Sequence, residues 1–170
     1  MNSMSSQHPI TFEQSHNLTQ IFSADGTLAH HLPFFNPRPE QLEMAQAVTQ
    51  ALNNTSCAVL EAGTGTGKTF AYLVPTLLWG GKAIISTGTK TLQDQLFERD
   101  LPTIRDALGA PVTIALLKGR ANYVCHYHLD RTLMNGRFQG REDAAHIQRI
   151  RKDLNYVKRG DKAEWPDIPD

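Results

Sequence analysis

Cysteine is nearly absent from this chain, which has only Cys57 and Cys125. Two thiols exclude a disulfide framework and fit a reducing, cytoplasmic setting. A surplus of either charge is lacking too: 17 Lys and Arg balance 17 Asp and Glu, for a formal net charge of zero. The chain as a whole therefore advertises no polyanionic partner. No apolar run approaches the ~20 residues that span a bilayer, and Pro75 with Gly80-Gly81 breaks the best candidate. Met1 to Gln20 is polar, without the charged start and apolar run of a signal peptide. Met1 and Met4 are both candidate starts. Repeats and low-complexity tracts are missing as well. The chain does have 170 residues, 40% of them hydrophobic, enough for one domain with a real core.

The local distribution of charge is more telling than its sum. From Lys118 to Arg159 there are ten Lys and Arg against four acids, and the rest of the chain is net acidic. A basic half on a neutral chain suits a polyanion surface; a solvated helical face is the plainer explanation.

Glu61-Ala62-Gly63-Thr64-Gly65-Thr66-Gly67-Lys68-Thr69 is the strongest signal. It follows the short apolar run Ser56–Leu60 and precedes Phe70–Trp79, whose residues suit a buried helix. Strand, glycine-rich loop and helix together make a phosphate-binding loop. The glycines let several N–H groups converge on an anion, and the helix N-terminus adds its positive end. Lys68 then reaches the outer phosphates and the Thr69 hydroxyl ligates Mg²⁺. Nucleotide contacts are thus expected from Ala62, Gly63, Thr64, Gly65, Thr66, Gly67, Lys68 and Thr69, with Lys68 and Thr69 the catalytic pair. Ala62 stands where the general pattern has glycine.

Around this loop the chain alternates. Strands are expected over 56–61, 82–87 and 112–117. Helices are expected over 40–52, 67–79, 89–97 and, past Pro102, 103–108. Near-continuous apolar strands alternating with helices imply an α/β fold, a parallel sheet flanked by helices. Beyond Gly119 the pattern turns basic and helical, over 123–134 and 141–157. The expected organisation is a disordered lead over 1–21, a nucleotide-binding lobe over 22–119, a basic helical region over 120–159 and an unstructured acidic tail over 160–170.

Three further constellations flank the loop. Gln41, in Arg38-Pro39-Glu40-Gln41, carries a donor and an acceptor and could read an adenine edge; a surface glutamine is the bland alternative. Ser86-Thr87-Gly88-Thr89 opens a helix with hydroxyls and free amides. That suits DNA-backbone contact through Thr87, Gly88 and Thr89 and equally suits simple N-capping. Lys118-Gly119-Arg120-Ala121-Asn122-Tyr123 combines two cations with an aromatic, which suits single-stranded DNA. A lone Cys125 beside His126 and His128 does not complete a zinc site.

The run from Phe22 to Gln41, the loop 61–69, Ile85–Thr89 with Leu92-Gln93-Asp94-Gln95-Leu96, and Lys118–Cys125 together resemble the start of the bacterial DinG/YoaA-type helicases. These are iron–sulfur relatives of XPD in helicase superfamily 2, and Ala62 is the form common among helicases. The resemblance covers about residues 22 to 130. It implies a RecA-like lobe of an ATP-dependent, 5′ to 3′ DNA helicase of DNA repair, using ATP and Mg²⁺. It implies that Gln41 reads adenine, that Lys68 and Thr69 hold nucleotide and metal, and that Thr87 to Thr89 touch a DNA strand. Cys125 would be the first of four ligands of a 4Fe–4S cluster, which this chain alone could not assemble. The acidic Asp-Glu strand and the second motor lobe are not found in the 170 residues. The expectation is therefore an incomplete lobe ending inside the cluster region: an N-terminal fragment that binds ATP, a cytoplasmic monomer partnered with single-stranded DNA, with no membrane. A stand-alone regulatory nucleotide-binding module and a small phosphotransferase are the alternatives.

Overall fold

The computed structural model describes residues 18–136, 138, 140–157 and 159–168. It divides into two compact units between Ala115 and Leu116.

The first unit begins inside the expected lead. Residues 18–21 are helical, and Leu18, Ile21 and Phe22 are buried; the expected disorder over 1–17 lies outside the described residues. The next turn admits only glycine, because a Cβ on Gly26 would stand 1.8 Å from the Gln20 carbonyl oxygen. It leads into α1 (Thr27–His31), which buries Leu28.

Pro39 opens α2 (Pro39–Asn53). Its fixed φ suits a first helical turn, and it lacks the N–H that would go unpaired there. Gln41, Ala45 and Thr49 form its buried face at four-residue spacing. This helix packs against α3 (Lys68–Trp79), which runs between two left-handed glycines, Gly67 and Gly80. Ala71, Leu73, Val74, Pro75 and Leu77 bury the inner side of α3.

Then comes α4 (Lys90–Gln95), capped by the Thr89 hydroxyl, which accepts from the Leu92 amide at 3.2 Å. A wide π-helical turn, Leu96–Asp100, joins it to α5 (Leu101–Leu108). That turn lies just ahead of Pro102, whose ring would clash with a carbonyl four residues back in a continuous α-helix. Gly109, at φ 60°, ends α5. The core joins Leu18, Ile21 and Phe22 to Leu28, Ala45, Leu73, Val74, Leu96 and Ile104.

The three expected strands differ from the sequence expectation. Residues 56–61, 82–87 and 112–117 carry no ladder pairing among the described residues. Segment 56–61 is exposed throughout. Ile85 and Val112 pack on the helical core, while Val59 and Ile84 are each 99% exposed. Parallel strands are stable when both faces are covered and their edges are paired, and these segments have cover on one face at most.

The second unit holds α6 (His126–Asn135) and α7 (Arg141–Asp153), packed on each other. Gly136, at φ 62°, stops α6. The tail over 160–170 was expected to be unstructured, and its described part is not. Asp161 bridges antiparallel to Tyr123, residues Lys162–Glu164 form a 3₁₀ turn, and Trp165 is 4% exposed. Burial of one large aromatic ring outweighs the acidic, Pro-rich composition that suggested disorder.

Candidate nucleotide site

The phosphate loop takes the shape its glycines permit. Gly65 and Gly67 lie at φ 77° and 81°, values that residues with a Cβ rarely adopt. Thr66 donates its hydroxyl to the Gly63 carbonyl at 2.9 Å. Lys68 folds back over the loop and donates to the Ala62 carbonyl at 2.8 Å and the Gly63 carbonyl at 2.6 Å. A cation held by two neutral carbonyls can exchange them for an anion, since hydrogen bonds between ions are the stronger ones.

Gln41 lies 4% exposed beneath the loop. Its Nε2 donates to the Gly67 carbonyl at 2.9 Å, and its Oε1 is buried without a hydrogen-bond partner among the described residues. A Cβ on Gly67 would stand 2.1 Å from Gln41 Nε2, so glycine at 67 admits this contact. A cavity of about 310 Å³ opens beside them, walled by Phe34, Phe35, Arg38, Gln41, the loop's Gly65–Gly67 and Phe70. Phe35 is fixed against Phe22, with ring centroids 6.5 Å apart, whereas Phe34 is 98% exposed.

Thr69 lies in the first turn of α3. Burial pushes the Tyr72 phenol above its ordinary range, the nearby Thr69 side chain pulls it down, and the charge of Asp100 pushes it up again. Asp100 is buried in the π turn, where it accepts from Gln95 Nε2 and Arg99 Nε, each at 2.9 Å.

The fold thus gathers Gln41, the loop, Lys68 and Thr69 at one end of α2 and α3. It also brings in Phe34, Phe35 and Phe70, which the sequence reading did not single out for the site. The signal for Phe34 and Phe35 was two consecutive aromatics in a turn-rich stretch just ahead of Gln41, and for Phe70 its place directly after Thr69. Thr87, Gly88 and Thr89 form a separate feature. The Thr87 hydroxyl donates to the Thr89 carbonyl at 3.2 Å, and Thr89 serves as the cap of α4.

Lys118 and Arg120 belong to the second unit. Arg120 is exposed at the start of a 3₁₀ turn. Lys118 is ion-paired to Asp161 at 2.8 Å, with both side chains under 10% exposed. Cys125 is exposed at the start of α6. No group of three or more Cys, His, Asp or Glu is placed to hold a metal among the described residues. These residues do not fit an iron–sulfur cluster, which takes four thiolates. No helix among the described residues is long and apolar enough to cross a membrane.

The DEAD/DEAH box helicase family model matches residues 39–123, half of the chain. The ATP-dependent DNA helicase YoaA of Haemophilus influenzae is 51% identical over 152 residues, covering 89% of this chain and 24% of that protein. YoaA of Escherichia coli is 53% identical over 119 residues, 70% of this chain and 19% of that protein. The ATP-dependent helicase DinG of Mycobacterium tuberculosis is 45% identical over 96 residues, 52% of this chain and 14% of that protein. This chain therefore spans at most about a quarter of the length of these relatives. No solved structure matches. With its phosphate loop, the buried glutamine beneath it and these matches, the chain belongs to the DEAD/DEAH box helicase family and is of the DinG/YoaA type.

Proposed function

We propose that this chain is the nucleotide-binding part of an ATP-dependent DNA helicase, and that its 310 Å³ cavity takes adenine. The observation that carries this reading is Gln41 Oε1, a buried acceptor on the cavity wall without a partner among the described residues. An unpaired buried acceptor costs about 1–3 kcal/mol, and the exocyclic amine of adenine would relieve it. Guanine presents a carbonyl at that position, which would leave the acceptor unrelieved. Phe34 and Phe35 offer ring faces for the base, and Lys68 exchanges its two carbonyls for phosphate oxygens. A bound Mg²⁺, held in part by the Thr69 hydroxyl, would neutralise phosphate charge.

The same reading has the three extended segments pair as a parallel sheet in a protein of the relatives' length. It has Thr87–Thr89, Lys118 and Arg120 contact single-stranded DNA, with 5′ to 3′ movement, a repair role, a monomeric state and a cytoplasmic location. The resemblance to DinG/YoaA-type helicases supports these points. A cluster ligated through Cys125 would need thiolates from outside the described residues.

Calorimetric titration of the chain with ATP and GTP tests the reading. ATP should bind more tightly than GTP. Gln41→Ala should weaken ATP about tenfold, the loss of ~1.4 kcal/mol, and leave GTP nearly unchanged. Equal affinity for the two nucleotides in the parent chain would refute adenine reading by Gln41.

A further inference from the structure

Lys118 is the cation that the DNA reading most needs at the start of the basic half, and it is buried against a carboxylate. Asp161 Oδ2 takes its ammonium at 2.8 Å, while Asp161 Oδ1 accepts from the Ala163 amide at 3.0 Å. The residues around Asp161 are tied down on both sides. The Val124 amide donates to the Gly160 carbonyl at 2.9 Å, and Asp161 itself bridges to Tyr123. Trp165 buries its ring and donates Nε1 to Asp153 at 3.1 Å. Asp167 pairs with Arg149. Two carboxylates of one short segment therefore occupy two cations of the basic half.

We propose that residues 160–168 form an intramolecular strap that competes with nucleic acid, with Asp161 standing where a phosphate of single-stranded DNA would stand on Lys118. Carboxylate and phosphate oxygens accept from an ammonium in the same way, so the strap and a DNA strand are alternatives at this residue. Strand binding displaces the strap, and Trp165 leaves its buried seat with it. The inference rests on the reading of Lys118 as a DNA phosphate contact.

The test uses the full chain and an oligothymidylate single strand, with affinity followed by fluorescence anisotropy against salt. Asp161→Asn should bind several-fold more tightly than the parent. Its log K against log salt should keep the parent slope, because both complexes carry the Lys118–phosphate contact, whereas a Lys118→Ala change should make the slope shallower by about 0.7, the value of one phosphate contact on a single strand. Trp165→Ala should shift affinity in the same direction without changing charge. Adding Lys118→Ala to Asp161→Asn should abolish the gain. A second readout keeps the strap intact: in a Trp79→Phe background, saturating DNA should shift Trp165 emission to the red. If the parent binds DNA while Asp161→Asn binds no more tightly and the emission stays fixed, the strap is refuted and the DNA reading survives. If neither the parent nor any variant binds at low salt, both fall.

Discussion

Lys68 is restrained by two loop carbonyls and by no carboxylate among its hydrogen bonds. Its removal should therefore be mild for folding and severe for binding. Lys68→Ala frees two carbonyls of an exposed loop, which water can satisfy. The thermal midpoint should stay near the parent value, while ATP affinity falls about 10- to 100-fold, as expected for a hydrogen bond to a charged group worth ~1.5–3 kcal/mol. Parallel thermal scans and nucleotide titrations check this; a large drop in the midpoint would assign Lys68 a structural role. Gln41 is different, because its amide lies under the loop and its contact depends on glycine at 67. A glutamine two residues after a proline was readable as a candidate adenine reader. That its amide would bond to the loop's own backbone was not, since the two residues meet only through packing of α2 on α3.

Among the elements, the strap has a pH signature. Burial would raise the Asp161 carboxyl. The hydrogen bond from Lys118, the Ala163 amide and the charges of Lys118 and Arg159 outweigh it and hold the group below its ordinary range. A carboxyl lowered in the folded state contributes stability above its unfolded pKa, and that contribution is lost as pH falls through the folded value. Stability should therefore decline as pH drops below about 4, the ordinary range of an aspartate. Asp161→Asn should remove that part of the slope, as followed by urea unfolding at stepped pH; an unchanged slope would mean that Asp161 is not responsible. The exposed Arg149–Asp167 pair adds little, as solvent-facing pairs do. Composition alone made this segment look solvated. What ordered it was one tryptophan and one buried ion pair with a lysine far back in the chain. The helices were more legible: α2 and α3 fall close to their expected bounds because apolar spacing, Pro39 and the flanking glycines all act locally. The π turn was not, although Pro102 marked the place where regular helix would fail.

At the scale of the whole chain, the helical core forms around residues 18–104 while the three apolar segments form no strand ladder among the described residues. This has a direct consequence. Val59→Lys and Ile84→Lys change side chains that are 99% exposed. Each should move the urea midpoint by no more than about 0.5 kcal/mol of stability, the usual range for surface changes. A loss of several kcal/mol would show that the sheet forms in this chain, because a lysine buried there would be unpaired. The same substitutions in a protein of the relatives' length should be severe if the proposed sheet forms there.

By itself the sequence determined the phosphate loop, the family and the positions of most helices. Glycine spacing, capping and apolar period act over a few residues, and the motifs were read in their chain order. Tertiary structure decided what lies far apart in the chain: Gln41 under Gly67 with an unpaired oxygen, Phe34 and Phe35 beside the loop, and Asp161 on Lys118. It also left the expected strands without a ladder among the described residues, because a parallel sheet depends on neighbours and on cover for both faces, which no single strand carries in its own residues.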